Sequence, residues 1–240
     1  MSGTSHGTGF REHALLVSRF LRSPATIGAV AASSRTMARR MVEHLPADRP
    51  LRIVELGPGT GPFTNAIVGR VHRDSRILAI DRERTFVEWV RERWPSVECV
   101  LASAEHLEEL LAGRGLGAID HVISGLPFAS LPLAMTRRIL DSLARTLRPA
   151  GTFTTFQYAH AFGLKSARLF RSQMDERMGG PPHRHLVWKN FPPAYVLTWT
   201  RRTSSSATTS APVMSMTASG AGSRDTASSA SRQRPAKSAS

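Results

Sequence analysis

Short apolar runs alternate with amphipathic stretches over most of the chain. Runs of about five apolar residues bounded by Gly, Pro or charged residues are typical of buried strands. They predict strands over 51–56, 76–80, 97–101, 119–124 and 152–158. Between these runs the apolar residues recur at helical spacing, which predicts helices near 63–71, 83–93, 104–112 and 133–147. Strands that alternate with helices in this way predict an α/β fold built on a parallel sheet.

The pattern changes after the fifth predicted strand. Residues 167–178 favour a helix, and two strand-like runs, 185–190 and 194–200, follow it. Phe191-Pro192-Pro193 joins these two runs. Because a short Pro-rich link between two strands is typical of a turn, we expect a hairpin with an antiparallel strand at the end of the domain.

The N-terminal part predicts two helices ahead of the sheet. From Phe10 to Arg22 the apolar residues share one helical face and the arginines lie opposite, which suits a helix in a membrane interface or one packed on the domain. A second helix is predicted over 35–45, and the small residues before it suit a lid or a plain loop. We expect a segment of helices and lid over 10–48 and a catalytic domain over 49–202. Residues 1–9 and 203–240 have too few apolar side chains to fold and are predicted to be disordered.

The stretch with the clearest chemistry is Glu55-Leu56-Gly57-Pro58-Gly59-Thr60-Gly61. A strand, a glycine turn and a helix form the nucleotide-binding corner of a doubly wound fold. Glycine lets the backbone approach a ligand closely because it lacks a Cβ atom. Asp81 ends the next strand, where a carboxylate is expected to meet ribose hydroxyls. The spacing Gly-x-Gly-x-Gly differs from the dinucleotide fingerprint, and an NAD-type or purely structural turn is the alternative.

Ligands of a doubly wound sheet lie beyond the carboxyl ends of its strands. Polar or small residues at these ends form the predicted site. The predicted cofactor-binding residues are Glu55, Gly57, Gly59, Gly61, Asp81, Arg82, Ser103, Ala104, Ser124 and Gly125. Phe128, Tyr158 and His160 follow the fourth and fifth strands and are the candidates for contact with a second substrate.

The amino-acid composition limits the possible binding partners of the protein and the cellular compartment in which it works. The formal net charge is +14; the tail from Thr203 has four basic residues and one acidic residue, so about +3 belongs to it and +11 to the rest. This charge indicates a polyanionic partner, either nucleic acid or an anionic membrane surface. The single cysteine, Cys99, excludes an internal disulfide and fits a reducing cytoplasm. We expect no metal site, no signal peptide and no membrane-spanning run.

The set of Glu55, the three glycines and Asp81 resembles the S-adenosylmethionine site of class I methyltransferases. Residues 124–128 resemble the Asn-x-Pro-aromatic segment of amino-methyltransferases, with Gly125 at the Asn position. The resemblance implies that the Phe128 ring borders the transferred methyl group and favours a cationic ammonium. Tyr158 and His160 are then expected to orient or deprotonate the amine, although both can instead be structural.

Longer segments resemble the bacterial phospholipid N-methyltransferases. These segments are 10–22, 26–34, 55–61, 124–132 and 190–194. The resemblance implies a Rossmann-like fold with a mostly parallel, seven-stranded sheet and an antiparallel terminal hairpin. It also implies S-adenosylmethionine as cofactor, and stepwise methylation of phosphatidylethanolamine towards phosphatidylcholine. The protein is expected at the inner face of the cell membrane, attached through Phe10 to Arg22.

Two other functions stay open at this stage. An rRNA adenine N6-dimethyltransferase has a similar glycine loop, and positive charge also suits an RNA backbone. Against it stand Gly125 and the lack of an RNA-binding appendage after the sheet. The second alternative is a non-catalytic protein that holds the nucleotide and binds a membrane.

Overall fold

A twisted seven-stranded sheet lies at the centre of residues 35–202, which are the residues described by this computed structural model. The strand order is β3-β2-β1-β4-β5-β7-β6. Strands β1 to β5 are mutually parallel, and β7 runs antiparallel to both β5 and β6. The strands are β1 Arg52–Leu56, β2 Arg76–Asp81, β3 Glu98–Leu101, β4 Ile119–Ser124, β5 Leu147–Tyr158, β6 His183–Val187 and β7 Ala194–Thr200. The predicted Rossmann-like sheet with its antiparallel hairpin is confirmed.

Helices connect the strands and cover both faces of the sheet. Residues 35–42 are helical and are named α1. The later helices are α2 Pro62–Val68, α3 Arg84–Arg93, α4 Leu107–Ala112, α5 Leu133–Thr146 and α6 Lys165–Met178, with single 3₁₀ turns at Ala104–His106 and Ala159–Ala161. The described residues contain no helix long and apolar enough to cross a bilayer.

Alternation of side chains along the strands divides the core into two layers. Ile53 and Ile77 pack with α1, α2 and α3, whereas Val54 and Leu78 pack with α4, α5 and α6. The pleat requires this division because successive strand residues point to opposite faces. Glu55 therefore points to the same face as Ile53, towards helix α2.

The second half of the sheet differs in its bounds from the sequence prediction. Strand β5 begins at Leu147 rather than at residue 152, because Leu147 pairs with Ile119 before the register shifts. The predicted strand 185–190 lies instead at His183–Val187. Its last three predicted residues turn away from the sheet, and the N–H of Asn190 donates to the carbonyl of Val187 at 3.3 Å.

Helix ends also differ, while the predictions for both termini lie outside the described residues. The helix predicted over 35–45 ends at residue 42, and that predicted over 63–71 ends at Val68, followed by Gly69. The predicted helix 104–112 divides into a 3₁₀ turn and α4. The amphipathic helix from Phe10 to Arg22, the lid, and the disordered segments 1–9 and 203–240 stay predictions.

Candidate active site

Each of the three glycines in the turn after β1 is required for a different physical reason. Gly57, Gly59 and Gly61 have φ angles of 70°, 55° and 85°, a region that side chains disfavour. A Cβ atom on Gly61 would lie 2.2 Å from the Trp94 ring, and one on Gly57 would lie 2.8 Å from Leu126 Cδ2. A Cβ atom on Gly59 would meet nothing within 4 Å. Gly59 therefore leaves backbone accessible to a ligand, whereas Gly57 and Gly61 allow close packing.

Asp81 braces the glycine turn from the end of β2. Its Oδ2 accepts a hydrogen bond from the Gly59 N–H at 3.1 Å, and its Oδ1 accepts one from the Glu83 N–H at 3.0 Å. Each carboxylate oxygen keeps a further lone pair. The side chain lines a cleft beside Gly57, so both oxygens can accept hydrogen bonds from vicinal hydroxyls.

Glu55 lies beneath the turn and is fully buried. Its Oε2 accepts a hydrogen bond from Thr64 Oγ1 at 2.8 Å, while Oε1 has no hydrogen-bond partner among the described residues. Burial raises the pKa of this carboxyl to about 8, and Asp81 adds to the rise. The predicted contact of Glu55 with a cofactor is therefore limited to the unpartnered Oε1.

Apolar side chains that sequence reasoning missed form much of the cleft wall. They are Ala102, Leu126, Leu131, Met135 and Ile139. A flat aromatic base fits between such side chains, since apolar area is removed from water. The available signal was the spacing of Met135 and Ile139, which places them one turn apart on the same face of α5.

Three predicted cofactor residues, Arg82, Ser103 and Ala104, also line this cleft. Ser103 caps the 3₁₀ turn: its Oγ accepts from the Glu105 N–H at 3.4 Å and donates to Glu105 Oε2 at 3.1 Å. Arg82 Nη1 reaches 3.9 Å from Met135 Sδ on the opposite wall. The structure therefore brings Asp81, Arg82, Ser103 and Ala104 together around one cleft.

The turn after β4 packs directly on the glycine turn. Ser124 is fully buried; its Oγ accepts from the Leu126 N–H at 3.2 Å, and its carbonyl accepts from Thr155 Oγ1 at 3.1 Å. A Cβ atom on Gly125 would lie 2.7 Å from the Gly57 carbonyl oxygen. Both residues thus shape the turn, and the side chain of Ser124 does not line the cleft.

The position of Phe128 beside the acceptor stays a prediction, which the packing of its ring does not favour. Phe128 is buried, and its ring stacks on that of Phe170 with centroids 4.5 Å apart at 16°. The Phe153 ring meets it at 70°. Because Phe170 covers one face and the rest of the ring is buried, no face is open to an ammonium. Leu126 lines the cleft instead.

Tyr158 and His160 stand side by side after β5. Their rings stack with centroids 5.6 Å apart at 14°. Tyr158 is half-buried and His160 is exposed. Burial raises the pKa of the Tyr158 hydroxyl, so it stays protonated at neutral pH and suits orientation of an amine rather than its deprotonation. Among residues 35–202, no three His, Cys, Asp or Glu side chains are grouped so as to hold a metal ion.

Known methyltransferases resemble this chain in sequence and in fold. Residues 53–151 match the methyltransferase domain family. An ornithine lipid N-methyltransferase from Singulisphaera acidiphila is 34% identical over 142 residues, covering 58% of this chain and 74% of that protein. A solved 1,6-didemethyltoxoflavin-N1-methyltransferase from Burkholderia thailandensis, with bound S-adenosylhomocysteine, has a TM-score of 0.56 at 18% identity over 84% of this chain and 94% of its own. The N-methyltransferase NodS from Bradyrhizobium japonicum has a TM-score of 0.55 at 12% identity, covering 72% and 97%.

The strand order, the glycine turn and the carboxylate at the end of β2 together define a class I S-adenosylmethionine-dependent methyltransferase. Within this class, the chain belongs to the bacterial lipid N-methyltransferases. The cofactor expected from the sequence, S-adenosylmethionine, is confirmed at the level of the family.

Proposed function

We propose that this protein transfers methyl groups from S-adenosylmethionine to the amine of a membrane lipid headgroup. The observation that carries the proposal is the 34% identity to an ornithine lipid N-methyltransferase over 74% of that protein's length. The cleft at the carboxyl ends of β1, β2 and β4 supports it, because it offers hydroxyl acceptors, an apolar wall and an open backbone at Gly59.

The residues of the cleft fit the donor. Asp81 accepts hydrogen bonds from the ribose hydroxyls, and the apolar wall around Leu131 and Met135 takes the adenine ring. The open side of Gly59 and the unpartnered Oε1 of Glu55 suit the polar end of the molecule. When bound, the donor supplies a methyl group on a positively charged sulfur. The chain then has to hold a neutral amine in line with that group.

Tyr158 and His160 support the acceptor side of the reaction. The protonated Tyr158 hydroxyl accepts a hydrogen bond from the amine and fixes its direction. The exposed imidazole of His160, stacked on that ring, takes the proton that an ammonium must lose before attack. Replacing His160 by Gln should shift the acid limb of the pH–rate profile, whereas a merely structural His160 would leave the profile unchanged.

Two lipids are candidate acceptors. Segments 124–132 and 190–194 resemble phospholipid N-methyltransferases and favour phosphatidylethanolamine, which we propose as the first acceptor, methylated stepwise towards phosphatidylcholine. The match to the Singulisphaera protein favours ornithine lipid as the second. Both offer an amine beside a negative group, so they share the chemistry required of the site.

A vesicle assay tests the function and separates it from its rivals. Purified full-length protein is incubated with methyl-labelled S-adenosylmethionine and either phosphatidylethanolamine vesicles, ornithine lipid vesicles or rRNA. We expect labelled lipid, resolved by thin-layer chromatography, and no labelled RNA. Labelled adenine would favour the rRNA methyltransferase, and no turnover on any acceptor would favour a protein that only holds the nucleotide.

Attachment to the inner membrane surface through Phe10 to Arg22 is part of the proposal. The support is the sequence pattern, with arginines opposite an apolar face, because this segment lies outside the described residues. Replacing Arg11, Arg19 and Arg22 by Glu should reduce vesicle sedimentation and vesicle activity together. Unchanged activity on vesicles would exclude this role.

A further inference from the structure

The turn between β6 and β7, residues 188–193, is named the hairpin tip and lies at the edge of the sheet that carries the candidate active site. Ala194 pairs with both Val187 of β6 and Tyr158 of β5. The Ala159 N–H donates to the Pro193 carbonyl at 2.8 Å. The hairpin tip is therefore hydrogen-bonded to the segment that joins Tyr158 to His160.

The hairpin tip exposes two large aromatic side chains. Trp188 is 73% exposed and Phe191 is 75% exposed, more than any other large hydrophobic residue among those that the structure describes. Between them Asn190 is buried, and its Nδ2 donates to the Pro192 carbonyl at 2.6 Å. Leu164, which precedes α6 at the same edge, is 54% exposed. Since Asn190 holds the turn in place, the exposure of the aromatic rings is built into the fold.

Basic residues surround these apolar side chains. The segments 158–174 and 181–202 contain no Asp or Glu, whereas Lys165 and Lys189 adjoin Leu164 and Trp188 in sequence. The same side of the sheet holds Arg171 and Arg184 over the Phe162 ring, at 3.8 Å and 5.8 Å from its centroid. Segments that carry cations and no carboxylates complement an anionic partner.

We propose that the hairpin tip and the start of α6 dock on an anionic lipid bilayer, with Trp188, Phe191 and Leu164 in the interface. Lys165 and Lys189 then lie at the level of the headgroup phosphates. Tryptophan is favoured at that depth because its ring is apolar and its N–H remains polar. This surface lies in the described domain and is distinct from Phe10 to Arg22.

Docking at this edge brings the bilayer to the mouth of the site. The inference rests on the proposed function, because only a lipid acceptor requires the active-site edge to face a membrane. A lipid amine then has to rise only as far as Tyr158 and His160, beside the hairpin tip, while its acyl chains stay in the bilayer. An RNA backbone would match the cations but would leave Trp188, Phe191 and Leu164 without an apolar environment.

The aromatic part of the surface is tested with full-length protein that carries Trp188→Ser and Phe191→Ser together. The probe is vesicles of phosphatidylethanolamine and phosphatidylglycerol. We expect vesicle affinity to fall at least about tenfold, since two buried aromatic rings leave the interface. Thermal unfolding and turnover of a monomeric short-chain phosphatidylethanolamine should be unchanged. Sedimentation equal to wild type would overturn the inference, as would loss of rRNA binding with vesicle binding intact.

The charged part of the surface has a matched control in the turn before β2, a strand that is not next to β6 or β7 in the sheet. Lys189→Glu and Arg73→Glu change the net charge equally, and Arg73 is exposed in the turn before β2. We expect Lys189→Glu to weaken vesicle binding about tenfold or more and Arg73→Glu less than about twofold. Equal effects from the two variants would mean that charge alone drives binding and would contradict a defined docking surface.

A fluorescence measurement keeps the inference testable should the double variant fail to fold. Brominated lipids quench tryptophans that enter the interface, so wild-type emission should fall on vesicle binding and Trp188→Phe should lose that quenched component. An unquenched Trp188 overturns the inference. These measurements need no turnover; hence a protein that methylates no lipid yet shows a quenched Trp188 would refute the proposed function and leave the docking surface intact.

Discussion

Among single side chains, Asp81 combines two tasks, because it holds the Gly59 N–H and faces the cleft. Replacing Asp81 by Ala removes a charged acceptor of ribose hydroxyls, and we expect affinity for S-adenosylmethionine to fall by roughly 10- to 100-fold. Isothermal titration calorimetry measures this change. Glu83→Ala serves as the control because Glu83 does not line the cleft, and equal affinities in all three proteins would exclude Asp81 from the site.

The buried carboxyl of Glu55 predicts a pH dependence of stability. Its folded-state pKa of about 8 exceeds the ordinary value of 4.5. Between these values the unfolded chain has lost the proton that the folded chain keeps, so this residue lowers stability as pH rises from 4.5 to 8. In Glu55→Gln that fall should disappear from urea unfolding curves of the ligand-free protein. An identical pH profile in both proteins would contradict the burial of an ionisable Glu55.

Sequence reasoning located the site better than it assigned individual roles. The roles of the glycines and of Asp81 depend on local backbone geometry. The sequence of residues 55–61 predicts that geometry directly. The direction of the Phe128 side chain depends instead on a packing partner far along the chain, Phe170 on α6. The Ser124 carbonyl is likewise held by a distant residue, Thr155 on β5. No local pattern reveals such partners, which is why the motif predicts an aromatic residue at the acceptor although Phe128 packs in the core.

At the scale of helices and strands, two uncharged imidazoles connect the segment after α1 to the sheet. They belong to His44 in that segment and to His121 on β4. His44 Nε2 lies 3.0 Å from Thr152 Oγ1, and His121 Nδ1 lies 2.8 Å from the same oxygen. The two rings meet edge to face at 5.8 Å. Burial lowers the pKa of the His121 imidazole to about 4, and His44 adds to this fall. The His44 side chain is more exposed, and desolvation and the nearby Arg70 lower its pKa in the same direction.

This contact should weaken in mild acid. Between pH 6.5 and about 4 the unfolded chain binds protons that the folded chain excludes, so stability falls as pH decreases through this window. For the buried His121 the loss is on the order of 3 kcal/mol, and for the exposed His44 it is smaller because water screens the charge. In His121→Gln, urea unfolding at pH 7 and pH 4.5 should show a smaller difference than wild type. Between pH 4.5 and 6.5 Glu55 changes the stability in the opposite direction. The contribution of His121 therefore has to be taken from the difference between the variant and wild type.

The stack of Phe128 on Phe170 joins the turn after β4 to helix α6. Replacing Phe170 by Ala should lower the free energy of unfolding by about 3 to 5 kcal/mol, because a buried ring is lost and a cavity remains. Phe128→Leu keeps an apolar side chain at this position and should cost less than Phe170→Ala, with lipid turnover retained. A large drop in turnover without a change in stability would instead return Phe128 to the acceptor site.

The bounds of the strands near the start of the chain follow their sequence patterns closely, whereas those of β5 and β6 do not. Parallel strands buried on both faces are mostly apolar, and the central residues of β1 and β2 show this pattern. The bounds of β5 and β6 depend on long-range pairing: Ala150 N–H bonds to the Arg201 carbonyl, and the hairpin tip closes on itself at Asn190. Those contacts join residues that no sequence window contains.

For the whole chain, a net charge of +14 predicts salt-sensitive binding to anionic vesicles. Screening shortens the reach of charges from about 10 Å at 0.1 M salt to about 3 Å at 1 M. Vesicle sedimentation should therefore fall steeply with added salt and level off at the apolar contribution of the hairpin tip. Vesicles of neutral lipid are the control and should show little salt dependence. Binding that does not respond to salt would exclude an electrostatic contribution.

The place of β7 between β5 and β6 has a consequence for biosynthesis. β6 leaves the ribosome first, yet it has no sheet neighbour until β7 pairs with β5. Until β7 is synthesised, the edge of β5 in the nascent domain therefore stays unpaired. An unpaired edge can bind strands of other chains and so promotes aggregation. Chains halted before Ala194 should be recovered as insoluble material or bound to chaperones, whereas chains halted after Thr200 should have a complete sheet.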